Sequence, residues 1–226
     1  MRHDYIILLP SDRDEMPSWY RVADERIVRR GRGLEWLPPE GADGEGAQVG
    51  NAMLVLPPHA TTLHWIATPG MTPRQGAAAA RLMALEASIG DADQLHAAIG
   101  ENEDPEAPHV VAVASQSAMT HWMEWAKEHG LPQASFVPSA LLLPTPEDGF
   151  VRGPIGGTDV VRGRDTAFEG DEQAAAFIIG DAPVTQVPAD SIDDALLMAL
   201  EEPPLDLRQG RYARRAPAMF DGARLR

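Results

Sequence analysis

Two short uninterrupted apolar runs, Ala52-Met-Leu-Val-Leu56 and Val110-Val-Ala-Val-Ala114, set the terms on which this chain can fold. Each is too short for an ordinary helix and neither alternates apolar with polar, so both read as buried strands. Phe136–Leu143 is apolar with Pro138 inside it, which predicts a strand that breaks and resumes. Helix signals lie between these runs. Thr72-Pro73-Arg74-Gln75 combines a capping threonine, a proline suited to the first helical position and a glutamine that completes a capping box. That helix is expected to reach about Ile89, stop at Gly90 and bury Leu82, Leu85 and Ile89 as one stripe. A second helix is expected from Ser117 as its cap to His129, with Gly130 past its end and Met119, Trp122, Met123 and Ala126 on the core face.

Shorter signals complete the pattern. Tyr5–Leu9, Trp19–Ala23 and Ile27–Gly33 read as a three-stranded meander. Trp36–Pro39 and Gly41–Gly50 read as a loop rich in glycine and acids, and Glu101–Pro108 as an acidic loop between two halves. Thr61–Ala67, Leu95–Ile99, Phe150–Arg152, Asp159–Arg162, Ala167–Glu169 and Val184–Val187 read as strands. Asp171–Ile179 reads as a short helix. A last helix starts at Ser191, turns Ala195, Leu196, Ala199 and Leu200 inward, and ends at Pro203-Pro204. This order predicts an α/β protein of two lobes, and no tandem repeat is visible.

Charge is placed unevenly on the 226 residues, whose formal net charge is −15. Residues 1–32 carry +1, 33–150 carry −12, 151–207 carry −9 and 208–226 carry +5. The acidic body argues against nucleic acid as a partner, because phosphates would be repelled. The arginine-rich tail suits an anionic lipid surface, at roughly 1 kcal/mol per basic residue near the headgroups. It is marginal as an anchor unless a second membrane signal accompanies it. No run approaches the roughly 20 apolar residues that span a bilayer. The first apolar run is too short and too soon followed by Pro10 and charges to be a secretory signal.

Motifs for catalysis are missing in several classes. With no cysteine, thiolate catalysis, disulfides and thiolate metal sites are excluded. Lys127 is the one lysine, and no phosphate loop of the G-x-x-x-x-G-K-[ST] type exists. Gly31-Arg32-Gly33 lacks the rest of a dinucleotide fingerprint. Ile155-Gly156-Gly157-Thr158-Asp159 reads as a glycine hairpin turn, with a phosphate-cradling turn as its other reading. The seven histidines form no H-x-x-x-H pair, and His59 and His64 should point to opposite faces of the strand between them. Ser115 and Ser117 follow a strand where a nucleophile could sit, and Ser117 is better explained as a helix cap.

In order and spacing these segments resemble the cytoplasmic part of the type II secretion system protein L family. Ala52–Leu56, Thr61–Ala67 and Pro69–His96 are similar to its N-terminal lobe, with Arg74-Gln75 at the helix start, Glu86 and Asp91-Ala92-Asp93 as the acidic patch, and Leu95-His96 after it. Val110–Ala114, Ser117–Leu131 and Phe136–Pro144 resemble its next block. Leu205-Asp-Leu-Arg-Gln-Gly-Arg-Tyr212 is similar to the segment that precedes the family's transmembrane helix, with Asp206 where asparagine is usual.

The resemblance implies two ribonuclease-H-like lobes of mixed sheet with flanking helices, of the actin-like ATPase superfamily. It divides the chain into an N-terminal lobe (1–100), a C-terminal lobe (101–205) and a basic juxtamembrane tail (206–226). It implies a scaffold at the bacterial inner membrane, on the cytoplasmic side, with no catalytic residue, cofactor or metal of its own. Its partners would be the secretion ATPase, gripped through that enzyme's N-terminal domain, other inner-membrane platform proteins, and the membrane through a helix expected beyond Arg226. Self-association is a further expectation. The residues expected at the partner contact are Glu124 and Glu128, on the polar side of the second helix, with Pro138, Leu141 and Leu142. The alternative is a nucleotide-binding actin-like ATPase, resting on the fold and the Gly156-Gly157-Thr158-Asp159 turn.

Overall fold

A computed structural model describes residues 3–12, 14–36, 49–102, 104 and 107–214. The loop expected at 41–50 and the tail from 215 lie largely outside them, as does part of the loop at 101–108. The chain begins with β1 (His3–Leu8), β2 (Ser18–Ala23), β3 (Arg26–Arg32), β4 (Val49–Leu56) and β5 (Thr62–Ile66). Helix α1 (Pro73–Ala87), β6 (Leu95–Ile99), β7 (His109–Ser115), α2 (Gln116–Glu128) and β8 (Ser135–Pro138) follow. The last part holds β9 (Phe150–Ile155), β10 (Thr158–Arg162), β11 (Ala167–Glu169), α3 (Glu172–Ile179), β12 (Val184–Gln186) and α4 (Ala189–Glu201).

These strands make three sheets. The central one has the order β3-β2-β1-β4-β8, an antiparallel meander to which β4 and β8 add in parallel. A second has the order β11-β10-β9-β12 and repeats the plan, a meander with β12 parallel to its first strand, one strand shorter. The third, β5-β7-β6, is antiparallel. The ladders β4–β8 and β5–β7–β6 pair residues from both sides of position 100.

Alternation along the central strands feeds two cores. Tyr5, Ile7, Leu54, Leu56 and Phe136 point one way, toward Met119 and Ala126 of α2 and one face of the three-stranded sheet. Ile6, Leu8, Met53, Val55 and Val137 point the other way, toward Val151, Val160 and the inner face of α4. Runs without polar residues are therefore required, since neither face meets water. Helix α1 covers the far face of the three-stranded sheet, on Val111 and Val113.

Three sequence expectations need correction. The α2 cap is Ser115, whose Oγ accepts from the Ala118 N–H at 3.1 Å, and Ser117 is already helical. Strand β7 runs one residue further than its apolar run, so the helix begins directly from it. After Pro138 the chain does not resume as a strand but turns through a 3-10 helix, Ser139–Leu142. Helix α1 does carry the capping box expected at Thr72 and Gln75. However, its buried face is Gly76, Ala80 and Ala84, with Leu85 half-buried beside them, while Leu82 is 59% and Ile89 100% exposed. Small residues win the inner face because the helix lies close on the sheet: a Cβ at Gly76 would sit 2.5 Å from Thr68 Oγ1.

The segment after α4 ties the central and three-stranded sheets together. Leu205 and Leu207 are buried in the core shared by both. The Leu207 N–H donates to the Phe136 carbonyl at 2.9 Å, and Asp206 Oδ1 accepts from the Phe136 and Arg208 N–H groups. A carboxylate oxygen here does what an asparagine carbonyl would. Arg208 is 7% exposed, and its Nη1 donates to the carbonyls of Pro132 and Ala134 at 2.8 and 2.9 Å. Gln209 then clasps the edge strand β6, accepting from the Ile99 N–H and donating to the Ile99 carbonyl. Part of the basic tail is thus core, not headgroup contact.

Candidate interaction site

Helix α4 follows Pro188, which cannot itself extend a helix backwards, and packs Ile192, Leu196, Ala199 and Leu200 inward. Its outer face keeps Asp190, Asp194, Met198 and Glu201 exposed, with Met198 at 73%. Opposite lies the turn that Pro138 imposes on the end of β8. Between them is an apolar cleft of about 660 Å³, floored by Leu141, Leu142 and Leu143, with Met198, Asp194 and Glu202 along α4's side.

Arg162 holds the floor in place. It sits at the end of β10, 9% exposed, and its Nη1 donates to the carbonyls of Leu141 and Leu143 while Nη2 donates to Thr145 Oγ1 at 2.7 Å. Burial pushes its guanidinium below the usual range. Three acceptors offset part of the cost of burying that charge, Nε being buried without a partner, and they tie the turn to β10.

The sequence-predicted contact residues divide into two groups. Pro138, Leu141 and Leu142 are buried, and the two leucines present their outer surface as the cleft floor. Glu124 and Glu128 are exposed one turn apart on α2, an element that packs on β6 and β7 and does not line the cleft. Met198, Asp194, Glu202 and Arg162 were missed. Met198 carried a readable signal, an apolar residue off the inward stripe of α4, whereas Arg162 looked like an ordinary end of a strand.

The histidines stay apart. His59 Nδ1 is 3.2 Å from Glu169 Oε2, and His64 Nε2 is 2.9 Å from Ser88 Oγ, with burial lowering the His64 pKa. His129 stacks on Trp125 with ring centroids 4.2 Å apart. Among the described residues no three His, Asp or Glu side chains gather as metal ligands.

The Gly156-Gly157 turn joins β9 to β10, with φ of +64° and +86°, values that a two-residue hairpin turn of glycines accommodates. It abuts the end of β1: a Cβ at Gly156 would lie 2.8 Å from Leu8 Cβ, and Ser11 Oγ is 3.0 Å from Thr158 Oγ1. The turn of the β11-β10-β9-β12 sheet therefore packs directly on the first strand of the central sheet.

Two meander-plus-parallel sheets flanked by helices, meeting at such a turn, define an actin-like ATPase-type fold. A solved structure described as the cytoplasmic domain of EpsL, an inner membrane component of the type II secretion system of Vibrio cholerae, matches with a TM-score of 0.68. It covers 93% of this chain and 99% of that one at 14% identity. The family model for the type II secretion system (T2SS), protein L, matches residues 5–215, and the chain belongs to that family. A curated relative, the type II secretion system protein L of Dickeya chrysanthemi, is 27% identical over 152 residues, which cover 66% of this chain and 37% of that protein. The match thus spans a little over a third of that relative's length. Among the described residues no helix is long and apolar enough to cross a membrane.

Proposed function

We propose that the chain is the cytoplasmic part of an inner-membrane platform scaffold of type II secretion, which recruits the secretion ATPase through that enzyme's N-terminal domain and links it to pseudopilus assembly. The observation that carries the reading is the cleft beside α4. Its apolar floor is pinned by Arg162, and Asp194 and Glu202 at its rim suit a basic partner element with an apolar anchor side chain. Glu124 and Glu128 add to the acidic surface that steers such a partner. Beyond Arg226 a transmembrane helix is expected. With Arg208 buried, the remaining tail holds five arginines and one aspartate, a cytoplasmic-side signature.

Support for a scaffold over a nucleotide-hydrolysing enzyme comes from the missing phosphate-loop motif and from the Gly156-Gly157 turn, which is a hairpin between β9 and β10 packed on Leu8. Calorimetry with the ATPase's N-terminal domain is expected to give a complex, to lose it with Met198→Arg, and to show slower association with Glu124→Lys plus Glu128→Lys. No complex at tens of micromolar would overturn the reading. Melting with millimolar Mg-ATP should leave the transition unmoved, and a clear rise would favour the enzyme.

A further inference from the structure

Strand β3 forms one edge of the central sheet and stays largely exposed along its length, with Val28 at 51%. The Gly33 N–H donates to the Pro17 carbonyl at 2.8 Å, so stepping back by twos makes Trp19–Gly31 and Arg21–Arg29 the bonded pairs of the β2–β3 ladder. Arg30 and Arg32 therefore turn their backbone N–H and C=O groups to the open edge, and among the described residues no strand takes them up. Such a row of unpaired backbone groups is a template for a further strand.

Charge says which kind of strand. Residues 18–33 carry five arginines and two acids, a local +3 on a chain of −15. Two of the arginines are already answered, Arg30 by Asp193 of α4 and Arg32 by Glu15 at 3.0 Å. The register puts Arg21, Arg26 and Arg29 on the opposite face, with Trp19, and among the described residues no carboxylate pairs with any of them. Arg21 and Arg29 stand directly across from each other, a like-charge pair that costs stability. Arg29 lies 5.4 Å over the Trp19 ring, and both Trp19 Nε1 and Arg21 Nε are buried without an acceptor. We propose that the β3 edge takes up an extended acidic segment of a partner protein as a further strand, its backbone bonded to Arg30 and Arg32 and its acids, at alternate positions, facing Arg26 and Arg29. The arginines repel basic strands and draw acidic ones, so the charge that guards the edge also selects its occupant. The proposal does not rest on the ATPase reading, which calls for a basic partner at a cleft that β3 does not line.

A short peptide of alternating glutamate and valine is the probe, read by amide exchange in NMR spectra. The Arg30 and Arg32 N–H groups should exchange fast in the free chain and slow with added peptide, while those of Arg29 and Gly31 are protected throughout. The fully N-methylated peptide keeps the charge, loses the backbone donors and should leave exchange unchanged. Arg26→Glu with Arg29→Glu should weaken peptide binding about tenfold. The melting transition should not fall, because the Arg21–Arg29 repulsion goes with the change. Met198→Arg should bind the peptide as the unmodified chain does, which separates this edge from the α4 cleft. No slowing at Arg30 and Arg32 with millimolar peptide would overturn the proposal, as would equal binding of the N-methylated peptide. So would phosphatidylglycerol vesicles that bind through Arg26 and Arg29 where the peptide does not.

Discussion

Replacing Arg208 with methionine keeps much of the apolar stem and removes the guanidinium that joins three parts of the chain. Its Nη1 donates to the carbonyls of Pro132 and Ala134, its Nε donates to the Tyr212 carbonyl at 3.3 Å, and the cation lies 5.5 Å over the Phe136 ring. Two charge-assisted hydrogen bonds contribute roughly 1.5–3 kcal/mol each, and the ring contact about 0.5–2 kcal/mol. Against these stand the desolvation of a buried cation, which already lowers its pKa, and roughly 2 kcal/mol of rotamer entropy. The variant removes the donor from the buried Ala134 carbonyl and from the more open Pro132 carbonyl, so the net loss is about 2–4 kcal/mol. Arg208→Lys, with charge but no planar fork, should lose less than the methionine variant. Urea unfolding would read the loss as a lower midpoint at constant slope. Amide exchange at Leu207, whose N–H is bonded to Phe136, should speed up with it. A loss below about 1 kcal/mol with Leu207 protection intact would refute the view that Arg208 holds the strap.

Gly76→Ala gains about 1 kcal/mol of helix propensity. It nevertheless should destabilise by about 1–2 kcal/mol, since the new Cβ meets Thr68 Oγ1 at 2.5 Å and His109 Nε2 at 3.0 Å. Adding Thr68→Ala should recover part of the loss in thermal melts. His96 titrates below the ordinary histidine value because it is buried and, to a lesser degree, because Arg211 and Arg81 are close, while its bond to the Leu207 carbonyl opposes the shift. Neutral His96 is the native form, so the unfolded chain takes up a proton the folded one resists. Its contribution is complete above about pH 6.5 and fades as pH falls toward the lower folded value. His96→Gln should flatten the drop in urea midpoint between about pH 7.5 and about pH 5.5, leaving the share that belongs to His64.

Much of the site was out of reach for local reasoning. Leu141 and Leu142 could be singled out from the apolar run around Pro138, but the sequence could not say that they floor a cleft. That depends on α4 returning across β4 and β9 from fifty residues away, and on Arg162 pulling the turn against β10. The two glutamates of α2 were legible as polar positions on an amphipathic helix, and they are exposed as expected.

What the sequence determined by itself was each element and its kind, because those are set within a few residues. Apolar runs at 52–56 and 110–114 demand burial on both faces, the Thr72–Gln75 box starts a helix, and Gly156-Gly157 makes a hairpin. Strand boundaries accordingly fall within three residues of expectation, except for the run at 136–143, whose strand ends at Pro138. What only the tertiary structure decided was which face of α1 turns inward. Both its Leu82–Ile89 stripe and its Gly76–Ala84 stripe have helical spacing, and hydrophobicity alone favours the first. Close packing on β7 favours the second, since only glycine and alanine let the helix approach the sheet that closely. The same long-range packing drew Arg208 out of a basic tail and into the core, where carbonyls 76 and 74 residues distant in sequence await it.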